Sequence, residues 1–315
     1  MAPDQAGDPQ ASLHAELIAV LVAVHDGAPM VLTLGEGAAL PSGPLEPAHR
    51  SLQSGLRAWV EHQTHHPLGY VEQLYTFGDR DRAEGPMRAI SISYLALTRI
   101  EIGYPGWGDA GWRGWYGYFP WEDQRSEAGA QAARLLGTRV LDWAEASGPD
   151  LRETRRQRAA IGFGLQGRAW DEELVLQRYE LLYEAGLVEE ATASRNGPPP
   201  PPQQTGRPML RDHRRILATA IARLRARIKY RPVVFELMPP TFTLLQLQLA
   251  FEALAGRRLH KQNFRRLIEQ QNLVEETGAL CDRSVGRPAK LFRFRREVLQ
   301  ARHVAGSKLP VTRPS

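Results

Sequence analysis

Apolar and polar positions alternate with two different periods along the last quarter of the chain. Leu244, Leu247, Phe251 and Leu254 fall on one face of a helix. Thr241 and Thr243 precede it, where a hydroxyl can cap the first free backbone N–H groups. Gly256 and the pair Arg257 and Arg258 end it. A second helical pattern turns Phe264, Leu267 and Ile268 inward and leaves Lys261, Gln262, Asn263, Arg265 and Arg266 on the other faces. Residues 273–276, a gap at Thr277-Gly278, and residues 291–295 then read as strands. Helix, turn, basic helix and hairpin is the order of a winged helix-turn-helix.

The first part of the chain has a different rhythm. Apolar runs at 17–24 and 30–34 flank His25-Asp26-Gly27-Ala28-Pro29, a hairpin signal. A Gly/Pro-rich loop over 35–47 leads into a helix predicted for 48–66, with Leu52, Leu56, Trp59 and Val60 at helical spacing. Residues 70–77 and 89–98 read as strands, and Ile90, Ile92 and Tyr94 alternate with serines in the second. Strands around a single helix predict an α/β sandwich. Three further helices are predicted for 124–146, 151–165 and 170–185. The middle one carries Arg152, Arg155, Arg156 and Arg158, which a solvated helix face explains more readily than a second DNA contact. Residues 196–208 contain five consecutive prolines and read as a stiff linker or exposed loop.

Composition adds a location for the chemistry. The 315 residues are long enough for two domains, and 43% hydrophobic content makes them globular. The net charge is +5, but residues 236–315 hold 14 Lys plus Arg against 7 Asp plus Glu. The rest of the chain is slightly acidic, so the positive excess lies at the C-terminal end and favours a polyanionic partner there. Cys281 is the single cysteine, which excludes an internal disulfide and fits a reducing compartment. The run at 17–24 is too short to span a bilayer. The expectation is a cytoplasmic protein with no membrane association.

Gln262 and Asn263 have the donor–acceptor pairs that read adenine edges, and Arg265 or Arg266 can read guanine. The stretch 285–290 forms a stiff basic tip that would bring Arg287 and Lys290 to phosphates or a narrow minor groove. Seven aromatics crowd 107–121: Trp107, Trp112, Trp115, Tyr116, Tyr118, Phe119 and Trp121. Such rings either fill a core or line a pocket on which a nucleobase stacks. Trp115, Tyr116 and Tyr118 are the pocket candidates, with Arg88 and Arg99 available for phosphates. His49, His62, His65 and His66 lack partners in register for a metal site, so no metal ligand is assigned. Catalytic triads, P-loops and dinucleotide glycine fingerprints are absent from the sequence, and no catalytic residue is assigned.

Residues 43–65 resemble a degenerate Nudix box, G-x5-E-x7-R-E-U-x-E-E-x-G-U. Gly43, Arg57, Trp59 and Glu61 match it, whereas His49, Ala58, His62 and Thr64 replace three glutamates and a glycine. In Nudix hydrolases those carboxylates hold magnesium; an alanine cannot, and histidine suits a hard ion poorly. Further motifs are Asp212-His213, Leu224-Arg225, Lys229-Tyr230, Pro232-Val233, Phe235-Glu236-Leu237, Asn263-Phe264-Arg265-Arg266 and Gly286-Arg287-Pro288-Ala289. With them the chain resembles the Nudix-related transcriptional regulators of NAD metabolism, strongly over 205–296 and more loosely over 15–121.

That resemblance implies a Nudix-like α/β/α sandwich with a helical insertion, followed by a C-terminal winged helix-turn-helix domain. The expected boundaries are 13–121 for the effector-binding domain and 122–196 for the insertion. A Pro-rich linker at 197–208, a connecting helix at 209–232 and the DNA-binding domain at 233–300 follow. It implies a homodimeric repressor of NAD synthesis or salvage genes, bound to palindromic double-stranded operator DNA. No cofactor is required. The implied effector is an adenine nucleotide (ADP-ribose, NAD or ATP), with Arg57, Trp59, Glu61 and Arg88 joining the aromatics as pocket residues. Arg57 also has a structural reading. The insertion departs from the family plan; it is a dimer surface, a lid or a DNA contact. The rival reading is a Nudix hydrolase with displaced carboxylates such as Glu46, Glu61 and Glu72, and a third is a protein-interaction adaptor.

Overall fold

The computed structural model describes residues 13–66, 68–69, 71–78, 88–100, 108–191, 201–228, 233–281, 288–295 and 297. A mixed sheet contains β1 (Leu13–His25), β2 (Ala28–Thr33), β3 (Ser42–Pro44), β4 (Val71–Phe77), β5 (Arg88–Leu97) and β6 (Gly111–Gly114). Its order is β4-β5-β1-β2-β6, with β3 also paired to β1. β1 runs parallel to β5 and antiparallel to β2, and β2 is antiparallel to β6. The β1–β2 turn is Asp26-Gly27, both with positive φ (48° and 70°), as a tight two-residue hairpin turn requires.

Alternation along β1 divides two cores. Leu17, Ala19 and Leu21 join Leu32, Leu56, Val60, Tyr94 and Ala96 beneath α1 (Leu52–Thr64). Ile18, Val20 and Val22 face the other way, into a larger core shared with every other long helix of the body. Such alternation with both faces covered is the sandwich expected from the sequence. α1 starts at a Ser51–Ser54 capping box and ends at His65, in the left-handed region at φ 52°.

The insertion is not an appendage. α2 (Glu127–Glu145), α3 (Pro149–Phe163) and α4 (Val175–Glu184) bury Leu136, Val140, Phe163, Tyr179 and Leu182 in the same large core as the sheet. The arginines of α3 have structural partners. Arg158 pairs with Glu184 at 2.5 Å, Arg156 with Glu153 at 2.6 Å, and Arg155 stacks on Trp143 and reaches the Ser147 hydroxyl.

Residues 201–208, read as linker or exposed loop, are exposed at Pro201, Pro202, Gln203 and Arg207, but α5 (Pro202–Thr205) leads to a buried Thr205, and Arg207 N donates to Gly117 O. The residues from 192 to 200 lie outside the described set. The connecting helix expected at 209–232 is α6 (His213–Ile228), and it runs through the core. Ile216, Leu217, Ile221 and Leu224 are all fully buried on it. Among the described residues no helix is long and apolar enough to cross a membrane.

The C-terminal unit contains α7 (Leu244–Ala255), α8 (Lys261–Gln270), β7 (Val274–Cys281) and β8 (Ala289–Phe294). Thr243, not Thr241, caps α7, through a capping box with Gln246. Gly256 stops it at φ 70°. The gap expected at Thr277-Gly278 is a register shift inside one strand, with Gly278 at φ 80°. Phe242 pairs with Phe292, adding a short third rung to the β7–β8 sheet.

Candidate nucleic-acid interface and effector unit

α8 has two unlike faces. Phe264 and Ile268 are buried, 4% and 2% exposed, and Phe264 meets Phe251 of α7 edge-on at 5.5 Å. Burying each such side chain stabilises by roughly 1.5–3 kcal/mol, which seats the helix. Leu267, expected inward, is instead 49% exposed, because three residues on from Phe264 carries it past the contact line. Lys261, Gln262, Asn263, Arg265 and Arg266 are all exposed. None of the five side chains has a hydrogen bond or ion pair among the described residues. Long donors free on one helix and fixed from behind by apolar residues can meet base edges and phosphates.

The wing differs. Lys290 Nζ contacts Glu276 at 2.8 and 2.9 Å, and Arg293 Nε contacts Glu275 at 2.7 Å. Lys290, expected at a phosphate, is paired in this structure with an exposed carboxylate across the hairpin. Arg287 and the basic tip at 282–287 lie outside the described residues.

In the sheet unit, the box residues are brought together on α1 and β3. Trp59 lies over Gly43 so closely that a Cβ there would sit 2.3 Å from the indole, and its Nε1 donates to Pro44 O at 2.9 Å. Arg57 donates to the carbonyls of Leu68 and Gly69, the second at 2.9 Å, which supports its structural reading. Glu61 is exposed. His49 turns inward to its own loop, accepting from Glu46 N at 3.1 Å. Glu72 is joined to Arg227 of α6. Arg88 lies in β5, with its side chain outside the described set; Arg99 follows the strand. Among the described residues no three His, Cys, Asp or Glu side chains converge as a metal site.

The aromatic run is corrected. Trp115 and Tyr118 are 0% and 1% exposed, core residues with no surface to offer a ligand. Phe119 and Trp121 are equally buried, while Trp107 is outside the described residues. Tyr118 donates its hydroxyl to Gly37 O at 2.8 Å; burial raises its pKa. Tyr116 faces α7, donating to Ala253 O at 2.6 Å. Trp115, Tyr118, Phe119 and Trp121 instead fill the large core shared by sheet, insertion and winged helix.

Sequence reasoning missed the centre of that junction, Glu122. It is 1% exposed and bound by two arginines, Arg178 at 2.6 Å and Arg225 at 2.6 Å, both fully buried. Burial alone would raise the Glu122 carboxyl, but Arg178 and Arg225 outweigh it and hold its pKa below the ordinary value. Arg178 also donates to the Gly162 and Asp171 carbonyls, each at 2.8 Å, and its guanidinium lies 3.9 Å from the centre of the Trp170 ring. The only signal was Arg225 within the Leu224-Arg225 motif; nothing local marks Glu122.

Residues 234–294 match the family model described as the NrtR DNA-binding winged helix domain. Over 84 residues the chain is 42% identical to the ADPR responsive transcriptional repressor NtrR of Acinetobacter baylyi. That match covers 26% of this chain and 33% of the relative, about a third of its length. The whole fold is similar to Shewanella oneidensis NrtR crystallised with a 27mer DNA, with TM-score 0.54 and 20% identity over 91% of this chain and 95% of that one. It is also similar to a MutT/nudix family protein from Enterococcus faecalis, with TM-score 0.52 and 15% identity over 92% of this chain and 90% of that one. Residues 234–294 are therefore similar to the NrtR DNA-binding winged helix domain, and the chain has a fold like that of NrtR, a Nudix-like α/β unit followed by a winged helix.

Proposed function

We propose that this chain is an ADP-ribose-responsive transcriptional repressor. It acts as a homodimer that sets two α8 helices into major grooves of a palindromic operator, about one helical turn apart. The carrying observation is Lys261, Gln262, Asn263, Arg265 and Arg266, exposed and unpaired among the described residues, on the second helix of a domain matching a DNA-binding family. ADP-ribose is preferred over NAD or ATP because the Acinetobacter baylyi relative is ADPR responsive. Operators of NAD synthesis or salvage genes are the targets, and the protein is cytoplasmic. The effector unit is residues 13–121, with Arg57, Trp59, Glu61 and Arg88 the remaining pocket candidates.

Selecting duplexes from a random pool with the full-length chain tests this reading. The selected duplex is then titrated by fluorescence anisotropy, alone and with ADP-ribose, NAD or ATP. A palindromic consensus whose affinity responds to ADP-ribose supports it; recovery of no sequence contradicts it and favours an adaptor. The hydrolase reading is separated by incubating the protein with ADP-ribose and magnesium. Release of AMP that disappears in Glu61→Gln would overturn the repressor-only assignment.

A further inference from the structure

The C-terminal end of a helix leaves its last carbonyls without partners inside the helix. In α7 two of them are satisfied from outside the winged helix. Tyr116 donates its hydroxyl to Ala253 O at 2.6 Å, and Arg225 donates Nε to Leu254 O at 2.9 Å. A tyrosine from the segment after β6 and an arginine from α6 thus cap the negative end of the helix that carries α8. Arg225 is itself fixed by the Glu122 carboxylate at 2.6 Å and by Glu172 O at 3.1 Å, and its Nη2 donates to the Tyr116 hydroxyl at 3.3 Å.

The fit is tight. Gly256 has φ 70°, and a Cβ there would lie 2.3 Å from Glu122 O, 2.6 Å from Arg225 Nη2 and 2.9 Å from the Tyr116 hydroxyl. Glycine is needed for the approach of the two units as well as for the turn. Arg257, the next residue, pairs with Glu172 at 3.2 Å. Beyond it the turn into α8 is tied back to α7. Glu252 Oε1 accepts from Leu259 N at 2.9 Å, and Gln248 Nε2 donates to Leu259 O at 3.1 Å. These bonds tie the start of α8 to α7, so the aim of α8 is set where α7 ends.

The same joint reaches back to the Nudix-like unit. Tyr116 lies two residues beyond β6, whose Trp112 meets His66, just after α1, edge-on at 6.0 Å. Its neighbour Tyr118 holds Gly37 O, in the loop before β3. The short backbone segment from Trp112 to Tyr116 thus joins a ring contact just after the box helix to the hydrogen bond at the end of α7.

We infer that Tyr116 and Arg225 are positioning residues: they fix the aim of the DNA-reading helix on the sensor body, and effector binding reaches α8 through this joint. The second half of that statement rests on the function proposed above; the first half does not. The test uses full-length Tyr116→Phe, which removes one hydroxyl and keeps the ring, and Arg225→Lys, which keeps the charge facing Glu122.

Two readouts are taken. In amide hydrogen exchange, both variants should lose protection in residues 244–260 while β1 and β5 stay protected. In operator titrations with the selected duplex, an ADP-ribose effect of about 5- to 150-fold in the wild type should fall toward 1 in both variants. Unchanged exchange over 244–260, or loss spread equally over the sheet, overturns the positioning role. Wild-type ADP-ribose response retained in both variants overturns the coupling. A wild type that ignores ADP-ribose defeats the coupling together with the proposed function, while the exchange result still decides the positioning role.

Discussion

Leu40 donates its backbone N–H to Nδ1 of His213 at 2.8 Å, joining the loop before β3 to the first residue of α6. Nδ1 can accept only when the imidazole is neutral. Burial, followed by the charge of Arg211, lowers the His213 pKa from 6.5 to about 4. The unfolded chain therefore binds a proton between those values that the folded chain does not. Stability is complete above pH 6.5 and falls as pH drops toward 4, by up to about 1.4 kcal/mol per unit. Denaturation at pH 7 and pH 5 should differ by on the order of 2 kcal/mol from this group. His213→Asn, which keeps an acceptor but does not titrate, should remove that difference; an unaltered pH profile would contradict the assignment.

Glu122 sits between two guanidiniums with no water-accessible surface to speak of. Removing its charge leaves Arg178 and Arg225 buried and under-compensated, a change that typically destabilises by about 3–5 kcal/mol. Glu122→Gln should therefore unfold at clearly lower denaturant concentration than wild type. A midpoint within error of wild type would mean that the pair contributes little beyond packing.

The reading helix makes a sharper demand. Gln262→Ala or Arg265→Ala should weaken the selected operator by roughly 1–3 kcal/mol if either side chain contacts a base. Thermal stability should be unaffected, since both residues are exposed and unpartnered among the described residues. Operator affinity that survives both substitutions would move the reading function off α8.

The reading helix and the wing allow a contrast between two cations. Arg266 is exposed and unpaired among the described residues, whereas Lys290 already contacts Glu276 at 2.8 Å. Each free cation that replaces counterions adds close to one unit to the salt dependence of DNA binding. Arg266→Ala should lower that slope and Lys290→Ala should leave it nearly unchanged. The reverse order would show that DNA displaces Glu276.

The winged helix was legible because its signals are local. The 3.6-residue stripes of α7 and α8, Gly256 as a stop and the charge excess after residue 236 all act over short distances. The hairpin at Asp26-Gly27 was readable for the same reason. The junction was not. Glu122, Arg178 and Arg225 are far apart in sequence, and each alone looks like an ordinary surface charge. The aromatic run misled because a ring's partner is set by tertiary packing. Tyr116 and Trp115 are adjacent, yet one caps a carbonyl of α7 and the other is fully buried in the core. The helices at 127–184 read correctly as helices, but periodicity does not say what their apolar faces meet, and the answer was the main core.

The most direct test is a titration of ADP-ribose into the complex of full-length protein with its selected duplex, followed by anisotropy at fixed salt. The account predicts that the duplex affinity shifts by about 5- to 150-fold, the span of ordinary coupling energies. A complex whose affinity is the same at zero and saturating ADP-ribose would contradict it.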